Sequence, residues 1–442
     1  MIDNILKEII INFWEQDIED YKDRKFKIPE LNVKKAISLV WPRRSWKTSL
    51  CFLKIKQLVE SWLNKRNILY INFEDERLIN FNIKDFDTLL KVYFELSWKS
   101  TRDKNIYFFF DEIQNVKWWE KFIVRVLNNF DIRIVVTGSS AKMLSKEVDT
   151  ALRWKNISFD VLPLNFEEFL DFKEESLSEY FEYSIDGWNN YKKLLNEFLM
   201  YGTFPEVVLE KNEIIKKSIV KTYYDLIFYK DIVDRFKIRD IANLKKFRKF
   251  LTYNFTNLIS LKKFADQFKI SYPVVLNWYE YFQDSYFGFA LKKFNFSIKN
   301  VEKSLSKFYL IDNSFFYVNF WQINNLNLSS FFENAVFLEF RKAGFVENEN
   351  IFYYKDNKFD IDFILFKEWV VIPVQVCWEL NEENFKREYG QLEEFIEKFK
   401  LEKWYIVLVE NKANIIENGR IEVIRIEEIS KIINSKKLGW NK

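Results

Sequence analysis

Lys47 and Thr48 stand in a segment whose residue types and spacing could bind phosphate groups. They close the run WPRRSWKT, residues 41–48. The spacing is that of the loop G-x-x-x-x-G-K-S/T, with Trp41 and Trp46 at its two glycine positions. In such a loop the backbone N–H groups and the following helix end surround the β-phosphate. The lysine reaches the β- and γ-phosphates, and the last hydroxyl binds Mg²⁺. The segment therefore predicts a site for ATP and Mg²⁺.

Two carboxylates could complete the chemistry of phosphoryl transfer to water. Asp111 and Glu112 follow the apolar residues 106–110. Asp111 is predicted to hold Mg²⁺ together with Thr48, and Glu112 to polarise the attacking water. Ser139 follows another apolar run and could orient this water or touch the γ-phosphate. The residues predicted to bind the nucleotide are Trp41, Arg44, Ser45, Trp46, Lys47, Thr48 and Ser49.

Buried strands are the elements that must position these side chains. Strands buried on both faces are continuous apolar runs, and such runs alternate here with helical patterns. This order predicts an α/β fold with a doubly wound parallel sheet, in which ligands bind at the carboxyl ends of the strands. The predicted strands are residues 37–40, 68–73, 106–110 and 134–137.

Tryptophan occupies positions where glycine is expected. The chain has 8 glycines and 15 tryptophans among 442 residues, whereas typical usage predicts about 31 glycines. Besides the two loop positions, four tryptophans stand where turns are predicted, and a left-handed backbone costs an L-residue ~1–2 kcal/mol. We hypothesise that the tryptophans at these six positions are encoded by UGA codons, which the source lineage reads as glycine. The alternative is a chain that is truly rich in tryptophan. The four turn positions are Trp118, Trp154, Trp369 and Trp404.

Several segments together resemble the AAA-type P-loop ATPases found widely in bacteria and archaea, which carry a C-terminal nuclease-like domain of unknown function. WPRRSWKTSL is similar to their loop GPRRSGKTSL, and YINFEDERL, FFDEIQNVKWWEKF, TGSSAKML, YGTFPEVV and KFYLIDNSFF are similar to successive blocks. The resemblance implies a role for Arg153, which matches an Arg-Gly-Arg/Lys turn, in sensing or completing the nucleotide site. The alternative for Arg153 is a solvated helix end.

The chain is predicted to contain four segments. Residues 1–165 form the AAA-type core, 166–245 a helical lid, 246–325 a winged-helix-like unit and 326–442 an α/β restriction-endonuclease-like domain. The second helix of the winged-helix-like unit, near residues 272–282, has no Lys or Arg. It therefore lacks the phosphate contacts that dominate DNA affinity, so a structural or protein-binding role is favoured.

The last segment carries an incomplete nuclease pattern. Glu333 and Asp362 match the first two carboxylates of restriction-endonuclease-like folds, but Gln375 and Cys377 occupy the positions of E-x-K. An amide is a poorer ligand than a carboxylate for a hard cation, and a thiol cannot replace an ammonium. We therefore expect a degenerate site, with no metal-dependent DNA cleavage by the isolated residues 331–442. Glu379 shares the strand face and is the best substitute ligand.

Composition excludes several classes of protein. The absence of histidine excludes Ser-His-Asp and Cys-His nucleophiles and every His-ligated metal site. Two cysteines provide no disulfide framework, which favours a reducing cytoplasm. The net charge of +3 does not by itself indicate nucleic acid, and no apolar run approaches the ~18 residues of a membrane span. A protein partner is expected, and the sequence does not determine the oligomeric state.

Three functions remain at this point. The first is Mg²⁺-dependent ATP hydrolysis that drives conformational control of a C-terminal binding module. The second is a non-catalytic binding protein that is switched by the nucleotide. The third is an ATPase-coupled nuclease, against which Gln375 and Cys377 argue.

Overall fold

The computed structural model describes residues 2–41, 46–100, 102–139, 152, 154–295, 301, 304–320, 322, 327–367, 370–401, 404–412 and 421–434. The chain forms two compact units. The first comprises Met1–Leu162 with Asp284–Tyr286, and the second comprises Pro163–Gln283 with Phe287–Lys442. The finer division into four segments stays a prediction.

The first unit is built on a five-stranded parallel sheet, which confirms the predicted α/β class. Its strand order is β2-β3-β4-β1-β5. All six residues of β3 are buried, as expected for a strand covered by helices on both faces. The strands are β1 Ala36–Trp41, β2 Ile68–Asn72, β3 Ile106–Asp111, β4 Ile132–Ser139 and β5 Asn156–Asp160.

Helices of the first unit pack on this sheet through aromatic side chains. Phe86 and Phe122 stack with ring centroids 4.0 Å apart, and the Trp14 indole donates to the Ile68 carbonyl at 2.9 Å. The helices are α1 Ile2–Glu15, α2 Lys47–Glu60, α3 Asp85–Ser97 and α4 Trp119–Asn129. Single 3-10 turns lie at Lys65–Asn67, Glu76–Leu78 and Ile113–Asn115.

The second unit begins with a helical region. Inside it the Arg248 guanidinium stacks on Tyr224 and Phe228, 4.0 and 4.1 Å from the ring centroids, and donates to Asp225 at 2.9 Å. The helices are α5 Phe166–Lys173, α6 Ile185–Tyr201, α7 Pro205–Leu209, α8 Glu213–Leu226 and α9 Ile241–Tyr253. A 3-10 turn at Phe181–Tyr183 precedes α6, and a π-helical stretch at Ile227–Asp234 continues α8.

A small antiparallel sheet follows, with strand order β6-β8-β7. Gly288 is required in it, because a Cβ there would lie 2.4 Å from the Tyr309 carbonyl oxygen. The elements in chain order are β6 Leu258–Ile259, α10 Leu261–Phe268, α11 Tyr272–Asp284, β7 Gly288–Leu291, β8 Ser306–Leu310 and α12 Ser314–Phe320.

The chain ends in a mixed five-stranded sheet of order β13-β12-β11-β10-β9. Strands β9, β10 and β11 pair antiparallel, and β11, β12 and β13 pair parallel. The strands are β9 Ile351–Lys355, β10 Asp360–Lys367, β11 Val370–Leu380, β12 Trp404–Asn411 and β13 Ile421–Ile424. The helices are α13 Leu328–Lys342, α14 Glu382–Phe385, α15 Gln391–Phe399 and α16 Ser430–Asn434, with a π-helical turn at Lys386–Gly390 and a 3-10 turn at Ile426–Glu428. Within the described ranges, no helix combines the length and apolarity needed to cross a membrane.

Candidate functional site

The carboxyl ends of the central strands of the first unit bring four predicted residues together. The Lys47 ammonium lies 2.6 Å from Glu112 Oε1, and the Thr48 hydroxyl donates to Asp111 Oδ2 at 2.6 Å. Lys47 and Thr48 are the first two residues of α2, and Asp111 is the last residue of β3. The arrangement follows from the parallel sheet, in which all carboxyl ends lie at one edge.

The charged side chains at this edge are buried, so their pairing matters for stability. Asp111 is 1% exposed, Lys47 5% and Glu112 8%. Buried charges are stable only when paired and hydrogen-bonded, and each of these three side chains has an oppositely charged or hydrogen-bonding partner at this edge. Glu112 also adopts a left-handed backbone, with φ of 50°. Such strain persists in non-glycine residues where the surrounding structure imposes it, and it clusters at functional sites.

Two further residues at this edge were not identified from the sequence. The Thr137 hydroxyl donates to Asp111 Oδ1 and accepts the Glu112 N–H at 3.2 Å. The Tyr70 hydroxyl donates to Asp111 Oδ2 at 3.0 Å. An available signal for Thr137 was its place at the end of the predicted strand 134–137, since ligands bind at the carboxyl ends of parallel strands.

Asp111 is held in one orientation by three hydroxyl donors. Burial, and then the charge of Asp111, raises the pKa of Tyr70 well above its usual value, so this hydroxyl stays protonated and donates. Burial and Asp111 likewise raise the pKa of Cys51, which keeps that thiol neutral. A carboxylate and a hydroxyl are hard oxygen ligands, so the Asp111–Thr48 pair has the donor chemistry that Mg²⁺ prefers.

Several predicted residues have little or no structural description. Arg44, Ser45 and Arg153 lie outside the described residues. Trp41 and Ser139 are the last residues of β1 and β4 and are neighbours in the sheet register, but their side chains are likewise undescribed. Ser49 lies in α2 and is 6% exposed. These predictions therefore rest on the sequence.

Five tryptophans of the first unit have a left-handed backbone. Only a few per cent of non-glycine residues have φ above zero, and bulky residues there are outliers. Trp46 is the residue preceding α2, and three of the others are at least 86% exposed. A left-handed backbone strains tryptophan, and exposure leaves its large apolar ring in water. Glycine adopts the left-handed conformation without strain. The five are Trp46 (φ 64°), Trp62 (68°), Trp98 (57°), Trp118 (66°) and Trp154 (64°).

Other tryptophans behave differently. Trp119 is 3% exposed in α4, as an authentic tryptophan would be. The prediction of a turn glycine at Trp404 is wrong in its structural premise, since Trp404 is 2% exposed within β12. Among the described residues of that turn, Lys400 at the end of α15 is left-handed, with φ of 52°. Trp369 lies outside the described residues.

We predict UGA codons at positions 62 and 98 as well as at 41, 46, 118 and 154. Mass spectrometry of the protein from its native source should find glycine at these positions. Trp118 and Trp119 provide an internal control within one tryptic peptide, because only the exposed Trp118 should be replaced. UGG codons at positions 46 and 118 would refute the hypothesis.

The four residues of the incomplete nuclease pattern line one cavity of about 590 Å³ in the second unit. Asp362 Oδ2 accepts the Val376 N–H at 3.1 Å. The Gln375 amide oxygen accepts the Asp362 N–H at 3.4 Å. Burial raises the pKa of Cys377 far above its usual value, so the thiol is neutral. Glu333 lies on α13, Asp362 on β10, and Gln375 and Cys377 on β11.

Two charged residues that sequence reasoning missed complete this cluster. The Lys307 ammonium, from β8, lies 2.9 Å from Glu333 and 3.0 Å from Asp362. Glu388, from the π-helical turn, accepts from the Gln375 amide at 2.7 Å. Burial, together with the charge of Asp362, raises the pKa of Glu333 to about 7, although Lys307 opposes this shift. Among the described residues, no three Cys, Asp or Glu side chains are already placed to hold a metal ion.

The substitute predicted from the sequence, Glu379, and two further carboxylates of this unit have other partners. Glu339 accepts the Phe166 N–H at 2.9 Å, and Asp360 pairs with Lys355. Glu379 lines the cavity but is bound by Asn381 at 2.9 Å and by Lys412 at 2.5 Å. Glu388 is therefore the carboxylate that directly contacts Gln375.

Comparison with known proteins identifies relatives along most of the chain. Residues 33–170 match an AAA domain family, and residues 192–323 match a domain of unknown function, DUF8612. The uncharacterised protein MJ1544 of Methanocaldococcus jannaschii is 44% identical over 365 residues, 81% of this chain and 78% of that protein. An uncharacterised protein of Haemophilus influenzae is 29% identical over 371 residues, 82% of this chain and 87% of that protein. The structure of the Aeropyrum pernix ORC1 protein in complex with DNA aligns with 72% of this chain and 90% of that chain, at 10% identity and a TM-score of 0.30, a level that supports no conclusion.

Proposed function

The chain belongs to the same family as the Methanocaldococcus jannaschii protein MJ1544, and on that premise we propose that it binds ATP with Mg²⁺ and hydrolyses it. The AAA domain match over residues 33–170 supports this class of reaction. The observation that carries the proposal is the convergence of Lys47 and Thr48 on Asp111 and Glu112 at one sheet edge. These are the residue types that phosphoryl transfer to water requires.

Each residue has one role in this proposal. Lys47 neutralises the β- and γ-phosphates as a point charge. Thr48 and Asp111 hold Mg²⁺, which neutralises charge on the phosphates when bound. Glu112 polarises the attacking water and accepts its proton. Thr137 and Tyr70 are positioning residues, because they fix the Asp111 carboxylate through hydrogen bonds.

Glycine at positions 41 and 46 is part of the proposal. The φ of 64° at Trp46 is the conformation that the second loop glycine adopts, and the backbone N–H groups must approach the phosphates closely. The Trp46 ring lies 6.1 Å from the Tyr21 ring, centroid to centroid. An indole at this helix terminus occupies volume beside the backbone that a phosphate must contact. The protein that functions in its source organism would therefore carry glycine there.

Hydrolysis would control the second unit. The chain passes between the two units after Leu162, after Gln283 and after Tyr286, so three covalent connections can transmit a conformational change. We place the winged-helix-like unit at the β6-β8-β7 sheet with helices α9 to α11, and the restriction-endonuclease-like domain at α13 and the mixed sheet. A protein partner of these modules remains part of the proposal.

A nucleotide-switched binding protein is the second candidate, and one observation favours it. The Glu112 carboxylate is bound both by Lys47 and by the Gln114 amide. A carboxylate held in this way must be released before it can polarise water. Tight ATP binding with no more than one turnover would support the switch over the enzyme.

Removing the Lys47 charge should weaken ATP binding. In the chain with glycine at 41 and 46, Lys47→Ala is expected to bind ATP roughly 10- to 150-fold more weakly, the value of a charge-assisted hydrogen bond of about 1.5–3 kcal/mol. Calorimetric titration with ATP and Mg²⁺ measures this change. Lys54→Ala is the matched control, since Lys54 is also buried in α2 and pairs with Glu30 at 2.7 Å. Equal loss in both variants would contradict a phosphate-binding role for Lys47.

A further inference from the structure

Gln114 is a buried residue whose side chain contacts Glu112, the proposed general base of the first unit. It is 8% exposed, and its amide N–H donates to Glu112 Oε2, while the Lys47 ammonium lies 2.6 Å from Glu112 Oε1. Each oxygen of the Glu112 carboxylate therefore has a donor of its own. The two donors differ in what ATP does to them, because Lys47 is proposed to bind the phosphates and Gln114 is not.

The backbone around Glu112 holds Gln114 against it. Glu112 is left-handed, with φ of 50°, and immediately precedes the 3-10 turn that contains Gln114. This turn is fixed to the sheet at two points. The Asn115 amide donates to the Phe73 carbonyl at 3.2 Å, and the Glu112 N–H donates to the Thr137 hydroxyl at 3.2 Å. The contact between residues 112 and 114 is therefore supported by the fold on both sides of the turn.

The amide oxygen of Gln114 is buried and accepts no hydrogen bond from any residue that the structure describes. The contact with Glu112 determines which end of the amide is the oxygen, because only the NH₂ end can donate to a carboxylate. Buried polar atoms are almost always hydrogen-bonded, since an unpaired one is unfavourable. Gln114 Oε1 belongs to the same planar group as the N–H that contacts Glu112, so it is an acceptor beside the general base. A water molecule that Glu112 deprotonates has a second hydrogen to donate to it.

We propose that Gln114 positions both Glu112 and the attacking water during ATP hydrolysis, an inference that rests on the proposed function. When Lys47 binds the phosphates, Glu112 Oε1 becomes available to one hydrogen of the water, while the Gln114 amide still holds Glu112 Oε2. Gln114 Oε1 accepts the other hydrogen of the same water. With both hydrogens directed to the protein, a lone pair of the water oxygen faces the γ-phosphate. Only the contact with Lys47 must break before Glu112 can act.

The reaction balances with these groups. The water oxygen forms a bond to the γ-phosphorus, and the bond from that phosphorus to the β–γ bridging oxygen breaks with its electron pair left on ADP. Glu112 accepts one proton of the water and passes it to the phosphate product. Gln114 neither gains nor loses a proton, because its amide only directs the two partners of the proton transfer.

The test compares Gln114→Met with its parent, the full chain with glycine at positions 41 and 46. Methionine is close to glutamine in size but lacks the amide donor and acceptor. We expect phosphate release under saturating ATP and Mg²⁺ to fall about 10²-fold, with an unchanged ATP affinity in calorimetry. Asn67→Leu is the matched control, since Asn67 is a 7% exposed amide in the 3-10 turn before β2 and donates to the Asn105 carbonyl at 3.2 Å. It should hydrolyse ATP at the parent's rate.

A double variant distinguishes positioning of the general base and water from a purely structural role. Because Gln114 acts together with Glu112, Gln114→Met should slow Glu112→Gln much less than it slows the parent. Equal slowing in both backgrounds would overturn the proposal, as would a weaker ATP affinity in Gln114→Met or an equal loss of rate in Asn67→Leu. A slow Glu112→Gln beside a fully active Gln114→Met would overturn this inference alone. A parent that hydrolyses no ATP would overturn the proposed hydrolysis and this inference with it.

Discussion

Glu112→Gln, in the chain with glycine at positions 41 and 46, is expected to bind ATP like its parent and to hydrolyse it about 10²- to 10⁴-fold more slowly. The amide keeps the size of the side chain but cannot accept the proton of the attacking water. Asp111 and Thr48 are unchanged at 2.6 Å from each other, so the proposed Mg²⁺ ligands remain. Phosphate release under saturating ATP measures the rate, and calorimetry measures the affinity.

A matched carboxylate provides the control for this prediction. Glu30 pairs with Lys54 at 2.7 Å, as Glu112 pairs with Lys47 at 2.6 Å, but the Glu30 side chain is 46% exposed and also pairs with Arg133. Glu30→Gln should therefore turn over ATP at the parent's rate. If Glu112→Gln hydrolyses ATP as fast as the parent, the role of Glu112 is wrong. If neither the parent nor Glu112→Gln hydrolyses more than one ATP per molecule, the nucleotide-switched binding protein is the better description.

The second large effect is expected from restoring glycine to the loop. A chain produced with Trp41 and Trp46 should show no measurable ATP binding, and the double replacement by glycine should create it. At Trp46 the replacement removes both the indole and the ~1–2 kcal/mol strain of a left-handed L-residue. Titration of both chains with ATP and Mg²⁺, under identical conditions, measures the difference.

Two other replacements distinguish the relief of backbone strain from the gain of ATP binding. Trp62→Gly and Trp98→Gly remove the same type of strain, at φ of 68° and 57°, but lie at the far ends of α2 and α3. Each should raise the free energy of unfolding by up to about 1 kcal/mol, because the flexibility of glycine in the unfolded chain offsets part of the gain. Neither should restore ATP binding. Strong ATP binding by the chain with Trp41 and Trp46 would contradict the proposed loop.

Two neighbouring tryptophans at the start of α4, the N-cap Trp118 and the first helical residue Trp119, offer a sharper comparison of stability. Trp118→Gly should be neutral or stabilising, since the side chain is 62% exposed and φ is 66°. Trp119→Gly should lower the free energy of unfolding by about 3–5 kcal/mol, because it empties a buried volume. The contrast within one dipeptide tests whether structure alone distinguishes recoded from authentic positions.

The sequence by itself determined which four side chains meet at the carboxyl edge of the parallel sheet, and the sheet that carries them. The four residues were predictable because each stands at a strand or helix end. There the local sequence pattern identifies the end of the element, and the sheet places all such ends at one edge. The four are Lys47, Thr48, Asp111 and Glu112. The parallel sheet followed from continuous apolar runs, and its carboxyl edge followed from the sheet. The glycine hypothesis also came from the sequence, although φ values were needed to add Trp62 and Trp98 and to remove Trp404 from the turn positions.

Only the tertiary structure decided the composition of the charged cluster that lines the cavity of the second unit. Lys307 is 26 residues from Glu333 and 55 from Asp362 in sequence, and it belongs to a different sheet. Glu388 follows Gln375 by 13 residues, across the end of a strand and a helical turn. A strand motif encodes only side chains that its own period places on one face. Charged groups supplied by other elements are brought near that face by folding, because buried carboxylates require partners that the strand itself does not provide.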